Sequence, residues 1–500
     1  TPVPSLFMAD RTASTADPCS QSNHEEAACT HLSLEWDVDF ASSTLSGAAT
    51  WTVTRGSESA SQVVLDTKGL QVESVEVDGS AVQHVLGEPH AVFGTPLAVP
   101  LPIDWTSCKV RIAYSTSAGS SACQWLTPEL TAGKAHPYFF TQCQAIHARA
   151  LVPCQDTPGA KFTYEAVVSV PEWATALMSA LRLTEGEGGK KRKAGGRTFA
   201  FSQPVPIPAY LLAIAVGELE SREVGPRSLV WSEPSMVAEV AYEFAEVESF
   251  IAAAETITSQ PYIWGQYDLL CLPPSFPYGG MENPCLTFLT PTLLAGDRSL
   301  AGVVAHEVSH SWTGNLVTNR TWEHFWLNEG WTVWLERRIE AHLHGETWYG
   351  FNALEANSSL EEAIRGYGKE HNFTSLVPKL EGMDPDDAFS VIPYEKGFQL
   401  LHHLREVCGA APFGEFVSAY FAAFKMKTVT SAEFRDFFID WASVSEIDAS
   451  SVDWDTWLLS PGFPPLAADF ANPEGAKAEA LAAMWLAPEA TFTPTGEPAD

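Results

Sequence analysis

The chain of 500 residues is longer than one hydrophobic core normally supports, so the sequence predicts about two to four domains. Its 62 acidic and 29 basic residues give a net charge of −33, which disfavours binding to nucleic acid or anionic membranes and favours cationic ligands such as a peptide amino terminus. No apolar run is long enough to span a membrane, and nine irregularly spaced cysteines indicate a reducing compartment without a disulfide framework. We therefore expect a cytoplasmic protein with no membrane span.

The first part of the chain has the pattern of a β-rich domain. Residues 1–28 are polar, and we expect them to be disordered or irregular. From Leu32 to Phe40, apolar and polar residues alternate, which is typical of a half-buried strand. Similar runs, separated by Gly, Ser and Asp, occupy residues 50–54, 62–66, 72–77 and 110–115, and a last strand is predicted at 210–216. These patterns predict a β-rich amino-terminal domain over residues 29–217.

The pattern changes to a helical one after about residue 218. Helices are predicted at 246–258 and 397–408, strand and loop at 263–295, and mostly helix from 345 to 460. Prolines at 461, 464 and 465 mark another boundary, followed by a predicted helix at 476–486. The fold class expected from the whole sequence is therefore α+β and multidomain. A second domain covers 218–460, and 461–500 form a linker and the start of a further helical region.

One stretch carries the residues of a metal site. His306 and His310 are four residues apart, so a helix would present both imidazoles on one face. Glu307 follows the first imidazole and can reach water at the metal, and Glu329 is the natural third ligand. Two nitrogens and one carboxylate with an open fourth position suit zinc, and we expect one Zn²⁺ per chain. The same pattern on a surface helix that binds nothing is the alternative.

The helices around this motif have recognisable ends. Asp297 or Ser299 can cap the start of the first helix, and Gly314 can end it. A second helical pattern begins near Glu329 and closes at Gly345. Two antiparallel helices joined by a short loop would bring the Glu329 carboxylate back over the first helix.

Several blocks of sequence resemble one known family. They are Gly279-Gly280-Met281-Glu282-Asn283, residues 142–158, 266–288 and 392–398, and the zinc motif. Together, and in this order, they are similar to the gluzincin aminopeptidases, most closely to the branch that includes leukotriene A(4) hydrolase. The resemblance implies a thermolysin-like, mainly helical catalytic domain over 218–460 and a truncated helical carboxy-terminal domain after it.

The resemblance also implies roles for matching residues. Glu307 would be the general base, Tyr394 would donate a hydrogen bond to the tetrahedral oxyanion, and Glu282 would bind the free α-ammonium of a peptide. The other residues that it implies in the substrate site are Gln142, Gln144, Tyr278, Gly279, Gly280, Met281 and Asp386. Without the family match, Glu282 would be taken for a solvated loop acid and Tyr394 for a packing residue.

Three functions stay open in the sequence. The first is a zinc aminopeptidase acting on short peptides with a free amino terminus, and the second is hydrolysis of a lipid epoxide in the same pocket. Phe389 stands where this branch usually carries a second active-site Tyr, which weighs against epoxide hydrolysis as the main activity. The chain also ends early in the region where the family binds substrate carboxylates, so we expect an incomplete sequence or a shortened variant. The third is a non-catalytic binding protein, which would have lost a ligand or Glu307.

Two further groups of residues have alternative interpretations. The aromatic side chains of Trp322, Phe325 and Trp326 either wall the pocket or belong to the core, and His324 is expected to be structural. The basic cluster at residues 190–193, flanked by glycines, is expected to be a flexible surface loop, with a nuclear localisation signal as the alternative.

Overall fold

The structure is a computed structural model that describes residues 11–13, 15–183, 196–466 and 468–486. The basic cluster at 190–193 lies outside the described residues, as do residues 1–10 of the segment expected to be disordered or irregular. Residues 15–26 are irregular but packed: the Cys19 side chain is buried, and Ser20 Oγ and the Gln21 N–H donate hydrogen bonds to the Asp66 carboxylate at 2.6 and 2.7 Å.

The amino-terminal region is built from three sheets. Their strands are β1 (Ala27–Asp39), β2 (Thr44–Arg55), β3 (Gln62–Leu65), β4 (Gln71–Val77), β5 (Ser80–Ala81), β6 (Val85–Leu86), β7 (Leu97–Pro100), β8 (Ser107–Ser115), β9 (Cys123–Leu126), β10 (Tyr138–Thr141), β11 (Lys161–Pro171), β12 (Thr175–Met178), β13 (Leu181–Arg182), β14 (Gly196–Pro208) and β15 (Ile214–Gly217). The largest sheet has the order β13-β14-β11-β1-β2-β8-β4-β5, and the others are β12-β15-β10-β9 and β3-β7-β6.

Strand β1 lies in the middle of the large sheet, and its residues alternate between buried and more exposed positions as predicted. Leu32, Leu34 and Trp36 are buried on its inner face, and Trp36 Nε1 donates to the Tyr114 hydroxyl at 2.9 Å. β1 pairs with β2 in antiparallel and with β11 in parallel orientation. The β-rich amino-terminal region predicted from the sequence is confirmed.

One strand prediction is wrong in part. Residues 210–216 were expected to form one strand, but Ala209–Leu211 is a 3-10 helix and only Ile214–Gly217 is strand. A short apolar run is buried in either conformation, so its composition does not distinguish them. The turn buries Tyr210, whose hydroxyl accepts a hydrogen bond from Asn328 Nδ2 at 3.3 Å.

The second region of the molecule combines a smaller sheet with a group of helices. Its strands are β16 (Glu220–Gly225), β17 (Ser228–Ser232), β18 (Asp268–Cys271), β19 (Gly280–Met281), β20 (Leu286–Leu289), β21 (Thr318–Asn319) and β22 (Thr428–Val429). Its helices are α1 (Val237–Glu243), α2 (Val247–Thr258), α3 (Gly302–His310), α4 (Trp326–His344), α5 (Glu346–Tyr367), α6 (Ile392–Cys408), α7 (Ala410–Phe424), α8 (Ser431–Val444) and α9 (Trp454–Leu459), followed by α10 (Pro473–Leu486). The sheet order β16-β17-β18-β20-β19 places β19 at an edge.

The cysteines are mostly part of the protein interior. All nine cysteines are free thiols, and eight of them are buried. Among the described residues, none of the helices is both long enough and apolar enough to cross a bilayer.

Candidate active site

Helix α3 carries the two histidines, but its start differs from the prediction. Neither Asp297 nor Ser299 caps it, because the helix begins at Gly302. Asp297 instead accepts a hydrogen bond from the Ser299 N–H within the preceding loop, at 3.0 Å. That loop is held by the buried Glu243 carboxylate, which accepts from the N–H groups of Gly296 and Arg298 at 3.0 and 2.8 Å. The loop before α3 is thus fixed by a distant carboxylate, and α3 itself has no side-chain cap from the residues that the structure describes.

The three predicted ligands converge on one point. His306 Nε2 and His310 Nε2 are 3.1 Å apart, and Glu329 Oε2 is 3.4 and 3.5 Å from them. Ligand atoms about 2.0–2.1 Å from an ion at tetrahedral angles lie about 3.3 Å from one another. Glu329 Oε2 is buried and has no hydrogen-bond partner among the described residues. The geometry therefore fits a metal ion with one open coordination position.

The other ring nitrogen of each histidine is also held. His310 Nδ1 donates to the Thr313 carbonyl at 2.9 Å, and His306 Nδ1 lies 2.9 Å from Glu336 Oε2. These contacts orient each ring so that its Nε2 lone pair points to the shared centre. Glu336 was not among the predicted site residues, although it follows Glu329 by seven residues and so lies two turns further along the same face of α4.

Buried acids surround this centre, and their burial disfavours the ionised form. Burial raises the pKa of Glu307 well above its ordinary value and raises that of Glu282 to about 7. Glu307 Oε2 and Glu282 Oε1 have no hydrogen-bond partner among the described residues. Burial also lowers the pKa of His310 to about 4, so its imidazole is neutral and available as a ligand. A cluster of carboxylates in a dry cavity is stabilised by cations, whether a metal ion or an ammonium group.

The site opens into a cavity of about 480 Å³. The predicted site residues that line it are Gln144, Tyr278, Gly279, Gly280, Glu282, His306, Glu307, His310, Glu329, Asp386 and Tyr394. Gly280 is required there, because a Cβ atom at this position would lie 2.3 Å from Glu307 Oε1.

Two predicted site residues, Gln142 and Met281, do not line the cavity. Met281 is the second residue of β19, and neighbouring strand residues face opposite sides, so its side chain points into the core while Gly280 faces the cavity. Gln142 lies behind it and donates from Nε2 to Met281 Sδ at 3.2 Å. Neither side chain lines the cavity in this structure, and a substrate role for Gln142 or Met281 stays a prediction.

The aromatic cluster divides between pocket and core. Trp322 and Phe325 line the cavity, whereas Trp326 is fully buried and donates from Nε1 to Ser431 Oγ at 2.9 Å. His324 Nδ1 lies 2.9 Å from the same hydroxyl, so His324 is structural as expected.

The crossing of α4 and α6 sets the position of Tyr394. A Cβ atom at Gly330 would lie 2.8 Å from Gly397 Cα, so these two glycines let the helices touch. The buried ion pair between Arg337 and Glu395, at 2.8 Å, joins the same two helices. As a result the Tyr394 ring lies over His306, with the ring centroids 6.1 Å apart.

Comparison with known proteins agrees with this architecture. The peptidase M1 N-terminal domain matches residues 23–211, and the peptidase family M1 domain matches residues 242–457. Leukotriene A-4 hydrolase of Xenopus laevis is 49% identical over 455 residues, covering 90% of this chain and 74% of the relative. Leucine aminopeptidase 2 of Aspergillus niger is 43% identical over 458 residues, covering 90% and 73%.

Solved structures of yeast LTA4 hydrolase share the fold. The structure in complex with bestatin is 40% identical, with a TM-score of 0.85, and the match covers 93% of this chain and 72% of that one. The native yeast structure gives a TM-score of 0.87 at 40% identity, covering 94% and 73%. The resemblance seen in the sequence blocks is thereby confirmed. The chain belongs to peptidase family M1 and is a metallo-aminopeptidase related to leukotriene A-4 hydrolase and leucine aminopeptidase 2.

Proposed function

We propose that the chain removes amino-terminal residues from short peptides with one zinc ion held by His306, His310 and Glu329. The observation that carries the proposal is the convergence of these three side chains in a cavity that also holds two further buried carboxylates, Glu282 and Glu307. When bound, zinc supplies Lewis acidity, which lowers the pKa of water towards about 7 and polarises the scissile carbonyl.

The proton transfers are assigned to Glu307. Its carboxylate is buried beside the ligand cluster, and burial raises its pKa, so it is a stronger base than a solvated glutamate. It takes a proton from the attacking water and delivers it to the leaving amine. Gly280 leaves room for the carboxylate in this position, because a Cβ atom there would lie 2.3 Å from Glu307 Oε1.

Glu282 is assigned to the substrate ammonium. Its carboxylate lines the cavity, and Oε1 has no hydrogen-bond partner within the described part of the chain. Its main-chain carbonyl accepts from Asn315 Nδ2 at 2.9 Å, which fixes the residue. An ammonium about 4 Å from a carboxylate gains about 4 kcal/mol at an effective dielectric near 20. A clamp at a fixed distance from the metal admits one residue before the scissile bond, which explains exopeptidase action.

The proposal is tested by hydrolysis of aminoacyl-anilides with and without a chelator. We expect turnover that a chelator abolishes and added Zn²⁺ restores, with one zinc per chain by elemental analysis. Turnover that is insensitive to the chelator would refute the metal mechanism. The nine free thiols make a cytoplasmic location the expectation, and fractionation of expressing cells tests it.

Replacing Glu282 by Gln should raise KM for aminoacyl-anilides about 100-fold or more, because the amide removes the charge that attracts the ammonium. Zinc content should stay at the wild-type value, since Glu282 is not one of the three ligands. The measurement is steady-state kinetics together with elemental analysis. Glu233→Gln is a matched control, since that buried glutamate binds the N–H groups of Ala132 and Gly133 away from the cavity. An unchanged KM in Glu282→Gln would eliminate the ammonium clamp.

Hydrolysis of a lipid epoxide is a second candidate, and the apolar lining of part of the cavity favours it. Beyond the ligand cluster the wall is apolar, formed by Phe373, Leu376, Pro378, Leu380 and Phe389. Such a wall suits a long hydrocarbon chain, and two of the similar proteins carry the name leukotriene hydrolase.

Phe389→Tyr should change the product distribution from leukotriene A(4), because it adds a hydroxyl to a ring that lines the cavity 6.0 Å from the Tyr394 ring. Peptide hydrolysis should stay within about threefold of wild type, since neither the ligands nor Glu307 is touched. Chromatography of the epoxide products measures the effect. If neither protein converts the epoxide, the second function is refuted while the peptidase proposal stands.

A further inference from the structure

The Asp386 carboxylate is held across the boundary between the two regions of the molecule. Its Oδ2 accepts a hydrogen bond from His147 Nε2 at 2.9 Å, and its Oδ1 accepts from the Ala145 N–H at 3.3 Å. The other ring nitrogen of His147, Nδ1, lies 2.9 Å from Ser121 Oγ. Both carboxylate oxygens of Asp386 therefore accept hydrogen bonds from residues of the β-rich region. The His147 imidazole that binds one of them is itself oriented by Ser121.

Asp386 belongs to a turn that forms one wall of the cavity. The turn is the 3-10 helix Pro385–Ala388. Asp384 caps its start, because the Asp384 side chain accepts a hydrogen bond from the Asp386 N–H at 3.1 Å. Phe389 follows the turn. Its ring centroid lies 6.0 Å from that of Tyr278, and both residues line the cavity. A shift of the Asp386 carboxylate would therefore move this wall.

The pair between His147 and Asp386 is too exposed to add much to stability. The side chains are 20% and 42% exposed, and pairs of this kind are screened by solvent. The pair instead fixes the position of the Asp386 carboxylate. A carboxylate has about four lone-pair sites, and the contacts with His147 and Ala145 use two of them. The remaining sites of this cavity-lining carboxylate are available to N–H groups of a bound peptide.

We propose that His147 is a positioning residue that fixes Asp386 for contact with peptide substrates, so that the β-rich region completes the substrate site. The inference rests on the proposed peptidase function and deepens it. His147 does not line the cavity and reaches it through Asp386, so its loss should change substrate binding rather than chemistry.

Kinetics of His147→Leu test the inference. KM for tripeptide substrates should rise about tenfold with kcat within about threefold of wild type. His147→Gln keeps a side-chain N–H donor and should recover most of the loss. Combining His147→Leu with Asp386→Asn should be no worse than Asp386→Asn alone, because residues that act through one contact are not additive. Additive losses, or a KM equal to that of wild type, would overturn the inference.

A second readout does not depend on activity. The N–H groups of Asp387 and Phe389 donate to the carbonyls of Asp384 and Asp386, both at 3.1 Å. Hydrogen exchange of these amides should be faster in His147→Leu but not in His147→Gln. His31→Leu is the matched control, since His31 bonds the Thr163 hydroxyl at 2.8 Å within the β-rich region. Unchanged exchange in His147→Leu would refute the positioning role, whereas an inactive wild-type enzyme would refute the proposed function.

Discussion

Replacing Glu307 by Gln should lower kcat for peptide hydrolysis by about 10²- to 10⁴-fold, the range that loss of a general base typically costs. The amide has nearly the same shape as the carboxylate and still fits beside Gly280, but it does not accept a proton from water. Zinc content should be unchanged, because the ligand atoms belong to His306, His310 and Glu329.

Steady-state kinetics and elemental analysis on the same preparation check this prediction. Glu340→Gln is a suitable control: Glu340 is a partly buried glutamate on α4 that lies outside the cavity lining, so its replacement should leave kcat unaltered. Loss of the metal in Glu307→Gln would mean that Glu307 is a ligand instead of the base. Retention of full activity would remove it from the mechanism.

The local parts of the site were predictable from sequence. His306 and His310 share a face of α3 because helical spacing alone fixes their relation. Glu329 needed one more step, the return of α4 over α3, which was predicted from two antiparallel helices joined by a short loop. Glu329 Oε2 lies 3.4 and 3.5 Å from the Nε2 atoms of His306 and His310, so α4 does bring this carboxylate to the imidazoles of α3.

Other parts of the site depend on contacts that no local pattern contains. Glu243 holds the loop before α3 from 53 residues away, and His147 meets Asp386 across 239 residues of sequence. Met281 was assigned to the pocket because its neighbours are there, but the two-residue strand β19 turns its side chain inward. Residues are placed in a site by tertiary structure, and membership of a motif does not determine the direction of a side chain.

Replacing Tyr394 by Phe should reduce kcat by about 10²- to 10³-fold, as expected for loss of one oxyanion donor. The hydroxyl is the only group removed, so the ring contacts with His306 and Phe325 remain and binding of the substrate should change little. Burial raises the pKa of Tyr394, which keeps the phenol protonated and able to donate a hydrogen bond.

The expected signature of Tyr394→Phe is a fall in kcat and kcat/KM by the same factor, because an interaction made only in the transition state does not affect KM. Tyr349→Phe is a matched control, since it removes a hydroxyl that lies 2.9 Å from His402 Nδ1 away from the cavity. It should keep kcat and lower only the unfolding temperature. A raised KM with unchanged kcat in Tyr394→Phe would instead assign the hydroxyl to substrate binding. The catalytic contribution would then have to come from Glu307 and the metal ligands alone.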